Sequence, residues 1–73
     1  MNWVERNYPI GAEILAPHPQ LVEWQKCQIT DHIVGPPAPG SPARRITGIM
    51  ICHPDGIYQE IDGSLLNEDG SGI

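Results

Sequence analysis

From Ile46 to Cys52 the chain runs through seven residues that are nearly all apolar or β-branched. A run of that length is too short for a comfortable helix and suits a strand covered on both faces. His53-Pro54-Asp55-Gly56 interrupts it. Proline presets φ at the second position of a tight turn, and the following glycine accepts a positive φ. Ile57 to Ile61 then alternates, with Ile57 and Ile61 on one face and Tyr58 and Glu60 on the other. The pattern predicts a β-hairpin.

Earlier in the chain the same period of two recurs. Ala12, Ile14 and Ala16 fall on one face of a first strand, Glu13 and Leu15 on the other, and Pro17-His18-Pro19 ends it. Leu21 to Val34 is a second extended segment. A helix competes there, because Leu21, Val22 and Trp24 can line one side. Strand is preferred because Ile29, Thr30, Ile33 and Val34 are β-branched and lose rotamer freedom in a helix. Met1–Asn7 is an arm or a single helical turn, broken by Tyr8-Pro9-Ile10-Gly11. Residues 35–42 form a proline-rich loop held in extended conformations, and Arg44 and Arg45 mark its return to the sheet. Asp62-Gly63 turns the chain again, Ser64-Leu65-Leu66 reads as one helical turn capped by the serine, and residues 67–73 read as a disordered acidic tail.

Composition agrees with short strands and punctuated loops. Eight prolines and eight glycines in 73 residues leave no room for long helices. A chain of this size buries only about 60% of its unfolded surface, so one small core carries the fold. With no phenylalanine, isoleucine, leucine and valine supply its bulk. Two cysteines, Cys27 and Cys52, make no disulfide framework, and neither a signal sequence nor a bilayer-spanning run is present. These features predict a reduced, cytoplasmic, monomeric protein.

The net charge of −5 arises entirely after residue 54, from Asp55, Glu60, Asp62, Glu68 and Asp69. That balance argues against nucleic-acid binding, which requires neutralising phosphates. An acidic end fits a basic protein surface or a nucleic-acid groove as a mimic; as an ordinary acidic tail it only solubilises.

Candidate chemistry is sparse. His18, His32, His53, Cys27 and Cys52 are potential metal ligands, but only Cys52-His53 comes near the usual ligand spacing, and neighbours on a strand point to opposite faces. Two buried thiols and three surface histidines are the expectation, with no metal and no cofactor. A nucleophile needs a base beside it, and Cys52, read as core, is inert there. No catalytic residues are assigned, and the chain is read as a non-enzyme. Pro39-Gly40-Ser41-Pro42-Ala43-Arg44 matches the form accepted by polyproline-binding grooves, a pattern that also arises by chance in such a loop. Arg44 and Arg45 can fork onto carboxylates or phosphates of a partner. Trp3 is a binding anchor or a lid over one end of the fold. Trp24 opposes Cys27 and Ile29 in strand parity, so it points outward if they point in.

Tyr8-Pro9-Ile10-Gly11-Ala12-Glu13-Ile14-Leu15-Ala16 resembles the opening of Tudor-like and other SH3-like small barrels. Trp24-Gln25-Lys26-Cys27-Gln28-Ile29 is similar to their second strand, and Ile51 to Ile61 to their third and fourth around an Asp-Gly turn. The resemblance covers Tyr8 to Leu66 and implies an all-β, SH3-like (Tudor-like) barrel of four or five antiparallel strands, spanning 8–66 between an N-terminal arm (1–7) and a tail (67–73). Tudor-type readers hold methylated lysine or arginine in an aromatic cage. Here only Trp24 and Tyr58 stand at matching strands, Gln25 occupies a usual aromatic position, and His53-Pro54 replaces another. In size and acidity the chain also resembles small lytic-phage regulators that bind bacterial RNA polymerase. That resemblance implies a protein-interaction module altering transcription initiation or termination, with Trp3, Trp24, Tyr58, Arg44 and Arg45 as partner-binding residues. The alternative is a reader of modified tails or a nucleic-acid-associated barrel.

Overall fold

The computed structural model describes residues 2–36, 39–40 and 45–73. Its elements in chain order are helix α1 (Trp3–Asn7), strands β1 (Glu13–Pro17), β2 (Trp24–Gly35), β3 (Arg45–Cys52) and β4 (Tyr58–Asp62), and a 3₁₀ turn over Gly63–Leu65. The four strands form one antiparallel sheet in sequential order, so the protein is all-β apart from its two short helical pieces. Arg44, and with it Ser41, Pro42 and Ala43 of the Pro39–Arg44 motif, lies outside the described residues.

The alternation of apolar residues becomes the inner face of this sheet. Ile14 and Ala16 of β1, Cys27 and Ile29 of β2, Ile49 and Ile51 of β3 and Ile61 of β4 are all buried in one cluster. In residues 46–52 Ile46, Gly48, Ile49 and Ile51 are buried, while Thr47, Met50 and Cys52 are half-buried, so the strand is covered fully on its inner side only. β2 continues for 12 residues by serving two partners. It pairs with β1 through Trp24–Gln28 and with β3 through Gln28–Gly35, with register shifts after Ile29 and after Ile33. Such shifts bend a strand and increase its twist, which lets a single sheet wrap its own core. The hairpin turn places Gly56 at φ 87°, the positive value the Pro-Asp-Gly order demands.

Helix α1 is not a detached arm. Asn2 caps it by accepting from the Val4 N–H at 2.8 Å and donates from Nδ2 to the Ile46 carbonyl at 3.4 Å, while Val4 and Tyr8 enter the core. Trp3 packs partly buried against the same cluster, edge-on to Tyr8 with ring centroids 6.4 Å apart.

The segment after Leu66 is folded back rather than frayed, which corrects the expectation of a disordered tail. The Tyr8 hydroxyl donates to the Asn67 carbonyl at 2.5 Å, lies 3.2 Å from the Gly72 carbonyl, and accepts from the buried Gly72 N–H at 2.9 Å. Asn67 N–H also donates to the Gly72 carbonyl at 2.7 Å, closing a small loop against Tyr8. The 3₁₀ turn is capped by Asp62, which accepts from the Ser64 N–H at 2.9 Å, and not by the serine.

Candidate functional site

The outward side of the sheet is set by the same alternation that fills the core. Register places Pro17 beside Trp24, Leu15 beside Lys26, and Glu13, Gln28, Cys52 and Tyr58 in one row across all four strands. A second row runs Asp31, Met50, Glu60, and a third Ile33, Gly48, Asp62. Three large apolar side chains stand on this face with most of their surface in water: Leu15 at 55% exposure, Trp24 at 55% and Tyr58 at 63%. Trp24 therefore points outward, opposite Cys27 and Ile29, as strand parity requires. An open groove of about 440 Å³ lies on the same side, lined by Gly11, Glu13, Lys26, Gln28, Cys52 and Pro54 among others, and none of the three apolar side chains borders it.

The anchors expected from sequence are divided between two regions. Trp24 and Tyr58 share the outer face but form no ring pair with each other among the described residues, so no aromatic cage is assembled there. Trp3 lies at the end of the sheet near Ile46, mainly as a cover for Tyr8. Arg45 is exposed at the start of β3, opposite Gly35, seven residues along the strand from the row that holds Tyr58. Arg44 lies outside the described residues.

Beneath the Trp24 end is a buried polar network that the sequence reading did not anticipate. His18 and His53 are 6% and 2% exposed, which corrects the expectation of surface histidines, and their rings meet edge to face at 4.9 Å. His18 Nδ1 accepts from the Gln20 and Leu21 N–H groups at 3.0 and 3.1 Å. That nitrogen therefore carries no proton, and Nε2–H donates to Asp55 Oδ2 at 2.8 Å. This bond holds the Asp55 carboxyl below its usual range, with the Ile57 N–H adding to the effect. His18 N–H in turn donates to the Glu23 carbonyl, closing the hairpin that delivers Trp24 to β2.

His53 is held between two amides, with Gln25 Oε1 at 3.0 Å from Nδ1 and Gln59 Oε1 at 2.6 Å from Nε2. A neutral imidazole donates to one of these amides and accepts from the other, which then presents its NH₂. Cys27 Sγ lies 3.1 Å from His53 Nδ1 and 3.4 Å from the Gln25 carbonyl, so its S–H has an acceptor in either arrangement. Among the described residues every buried side-chain nitrogen and oxygen has a partner.

A thiol against an imidazole is the geometry of an activated nucleophile, but its surroundings favour the neutral pair. Burial pushes the Cys27 thiol up, and the nearby Cys52 and Asp55 add to that. The thiolate, which is the reactive species, is therefore disfavoured. Cys52 occupies the outer row and is only half-buried, which corrects its assignment to the core. Among the described residues no group of three or more His, Cys, Asp or Glu side chains is arranged to hold a metal ion, and no helix is long and apolar enough to cross a membrane.

The network was missed because its members are far apart in sequence. Cys27 meets His53 only once β2 and β3 are paired with Gln28 opposite Cys52, and His18 meets Asp55 across 37 positions. The available signal was parity: Cys52 on the outer row forces His53 inward. Compared with protein families, curated proteins and solved structures, this chain matches none.

Proposed function

We propose that this protein is a non-enzymatic interaction module, an SH3-like barrel of the phage-regulator type that binds bacterial RNA polymerase and inhibits initiation or alters termination. It acts by occupying a surface on the larger machine, as a cytoplasmic monomer without a cofactor. The observation that carries this reading is Trp24: a tryptophan 55% exposed, on a rigid strand, backed by a fully satisfied polar network instead of being absorbed into the core. Tryptophan and tyrosine are enriched at binding hot spots.

Leu15 and Tyr58 extend the apolar contact on the same face. On this face Glu13, Asp31, Glu60 and Asp62 outnumber Lys26, so it favours a basic partner surface and discourages direct contact with nucleic acid. Trp3 and Arg45 lie too far from this face to share one small footprint and serve as peripheral contacts.

The test is affinity capture on purified bacterial RNA polymerase at low and moderate salt, with Trp24→Ala measured beside the parent chain for both binding and thermal stability. Retention of polymerase at moderate salt, and a loss of more than about tenfold in affinity with an almost unchanged melting temperature, is expected. No retention of polymerase refutes the assignment of partner. A Trp24→Ala chain that binds normally but melts early refutes the assignment of the face.

A further inference from the structure

We propose that the free edge of β4 is where the partner docks, by adding an extended basic segment as a fifth strand. This rests on the interaction-module reading above and specifies the docking mode and the chemistry of the segment. In an antiparallel pair, alternate residues turn both backbone polar groups toward the neighbour. The His53 N–H donates to the Ile57 carbonyl at 2.8 Å, and β3 and β4 continue in that register without a shift. Ile57, Gln59 and Ile61 therefore face β3, while Tyr58 and Glu60 turn their N–H and C=O groups away from the sheet. Those groups have no partner among the described residues.

The opposite edge is less open. On β1 the outward-turned residues are Glu13, Leu15 and Pro17, because His18 N–H donates inward to Glu23. Pro17 has no N–H to offer, so the row of outward donors on β1 is incomplete. β4 contains no proline.

Charge selects the occupant. On the outer face an added strand would run beside Tyr58, Glu60 and Asp62, and the only ion pair among the described residues joins His18 to Asp55. Along this row lies a cleft of about 170 Å³ lined by Ile33, Thr47, Gly48, Glu60, Ile61 and Asp62. A lysine or arginine on the incoming strand can lay its alkyl stem over Gly48 and Ile33 and set its charge between the two carboxylates. Tyr58 offers an aromatic face to the next cation along. A second copy of this chain is a poor occupant, since self-pairing centred on Glu60 sets carboxylate against carboxylate.

The experiment uses the ¹⁵N-labelled full chain with a synthetic peptide of alternating lysine and valine, and a glutamate–valine peptide as control. Expected are saturable shifts with the basic peptide only, and amide exchange slowed at least about tenfold at Tyr58 and Glu60. Glu60→Pro removes an outward N–H without breaking a ladder bond, and should abolish that protection while the chain stays folded. Glu60→Lys, which keeps the N–H, should weaken binding of the basic peptide if Pro proves disruptive. Absence of binding, equal binding of the acidic peptide, or self-association through β4 overturns the proposal. So does binding confined to Leu15 and Trp24 with Tyr58 and Glu60 unprotected, an outcome that leaves the interaction-module reading standing.

Discussion

Replacing Tyr8 with phenylalanine removes one oxygen atom, which, together with the Asn7 Nδ2 bond to the Glu68 carbonyl, holds the last seven residues to the body of the fold. The hydroxyl has one proton to give and is placed to give it to the Asn67 carbonyl at 2.5 Å, while it accepts from the Gly72 N–H at 2.9 Å. Two hydrogen bonds at a net of about 0.5–1.5 kcal/mol each set the loss at roughly 1–3 kcal/mol. If the segment stays docked, Gly72 keeps a buried, unpaired N–H, whose desolvation costs about 1–3 kcal/mol. Release of the segment relieves that cost, so the smaller figure bounds what is observed. The ring itself remains packed in the core against Trp3.

For a domain of this size, about 2 kcal/mol lowers the melting temperature by about 8–16 °C. Thermal melts followed by circular dichroism measure it, and amide exchange at Gly72 shows whether the segment has let go. A double-mutant cycle with residues 67–73 deleted isolates the cause: in the shortened chain Tyr8→Phe should cost less than about 0.5 kcal/mol, because its partners are gone. A Tyr8→Phe chain that melts with the parent and leaves Gly72 exchange unchanged would refute the reasoning.

Three further outcomes follow from named contacts. Asp55 has a folded pKa depressed by His18, so its contribution is full above the unfolded value of about 3.9 and is lost as pH falls through the folded value. Asp55→Asn should therefore be less stable than the parent near neutrality and converge with it in acid; urea midpoints showing a constant gap would contradict this. A Cβ added at Gly48 would sit 2.3 Å from the Ile61 carbonyl oxygen, a backbone atom that cannot swing aside. Gly48→Ala should destabilise by about 3 kcal/mol, read from the denaturant midpoint, and an unchanged midpoint would show that β4 can move away. Iodoacetamide should modify half-buried Cys52 well before buried Cys27 in the folded protein, with the order checked by peptide mass mapping.

What the sequence made legible depends on the range of the interactions. Strand positions and faces are local, repeating every two residues, so Ile14 with Ala16, Ile49 with Ile51, and the outward turn of Trp24 could all be read from alternation. The turn at Pro54-Asp55-Gly56 was equally plain, since a single glycine with positive φ decides it. Near misses came where two local solutions compete: Asp62 and Ser64 both cap helical turns well, and the aspartate, one residue before the turn, takes the role. The contacts that hold the two ends of the molecule had no local signature. Tyr8 binds backbone groups some sixty positions away, and any residue supplies those groups, so nothing in the composition of residues 67–73 distinguishes a docked segment from a solvated one.

The buried histidines lie on the same boundary between local and long-range information. Strand parity alone sends His53 inward, but a polar ring inside a core this small is tolerable only if every nitrogen finds a partner. Those partners, Gln25, Gln59 and Cys27, come from two other strands and are fixed by register. The polar residues that composition would place on the surface are instead what secures the end of the sheet beneath Trp24. A docking face needs that rigidity, because an exposed aromatic on a mobile loop gives up much of its binding energy to ordering on contact. Loosening the network by Gln59→Leu, a β4 residue that faces β3 and so leaves Trp24 and the outward-turned groups of Tyr58 and Glu60 in place, should therefore weaken partner binding while the exposed aromatic remains. Equal affinity in that chain, with the fold intact, would show that the network serves stability alone.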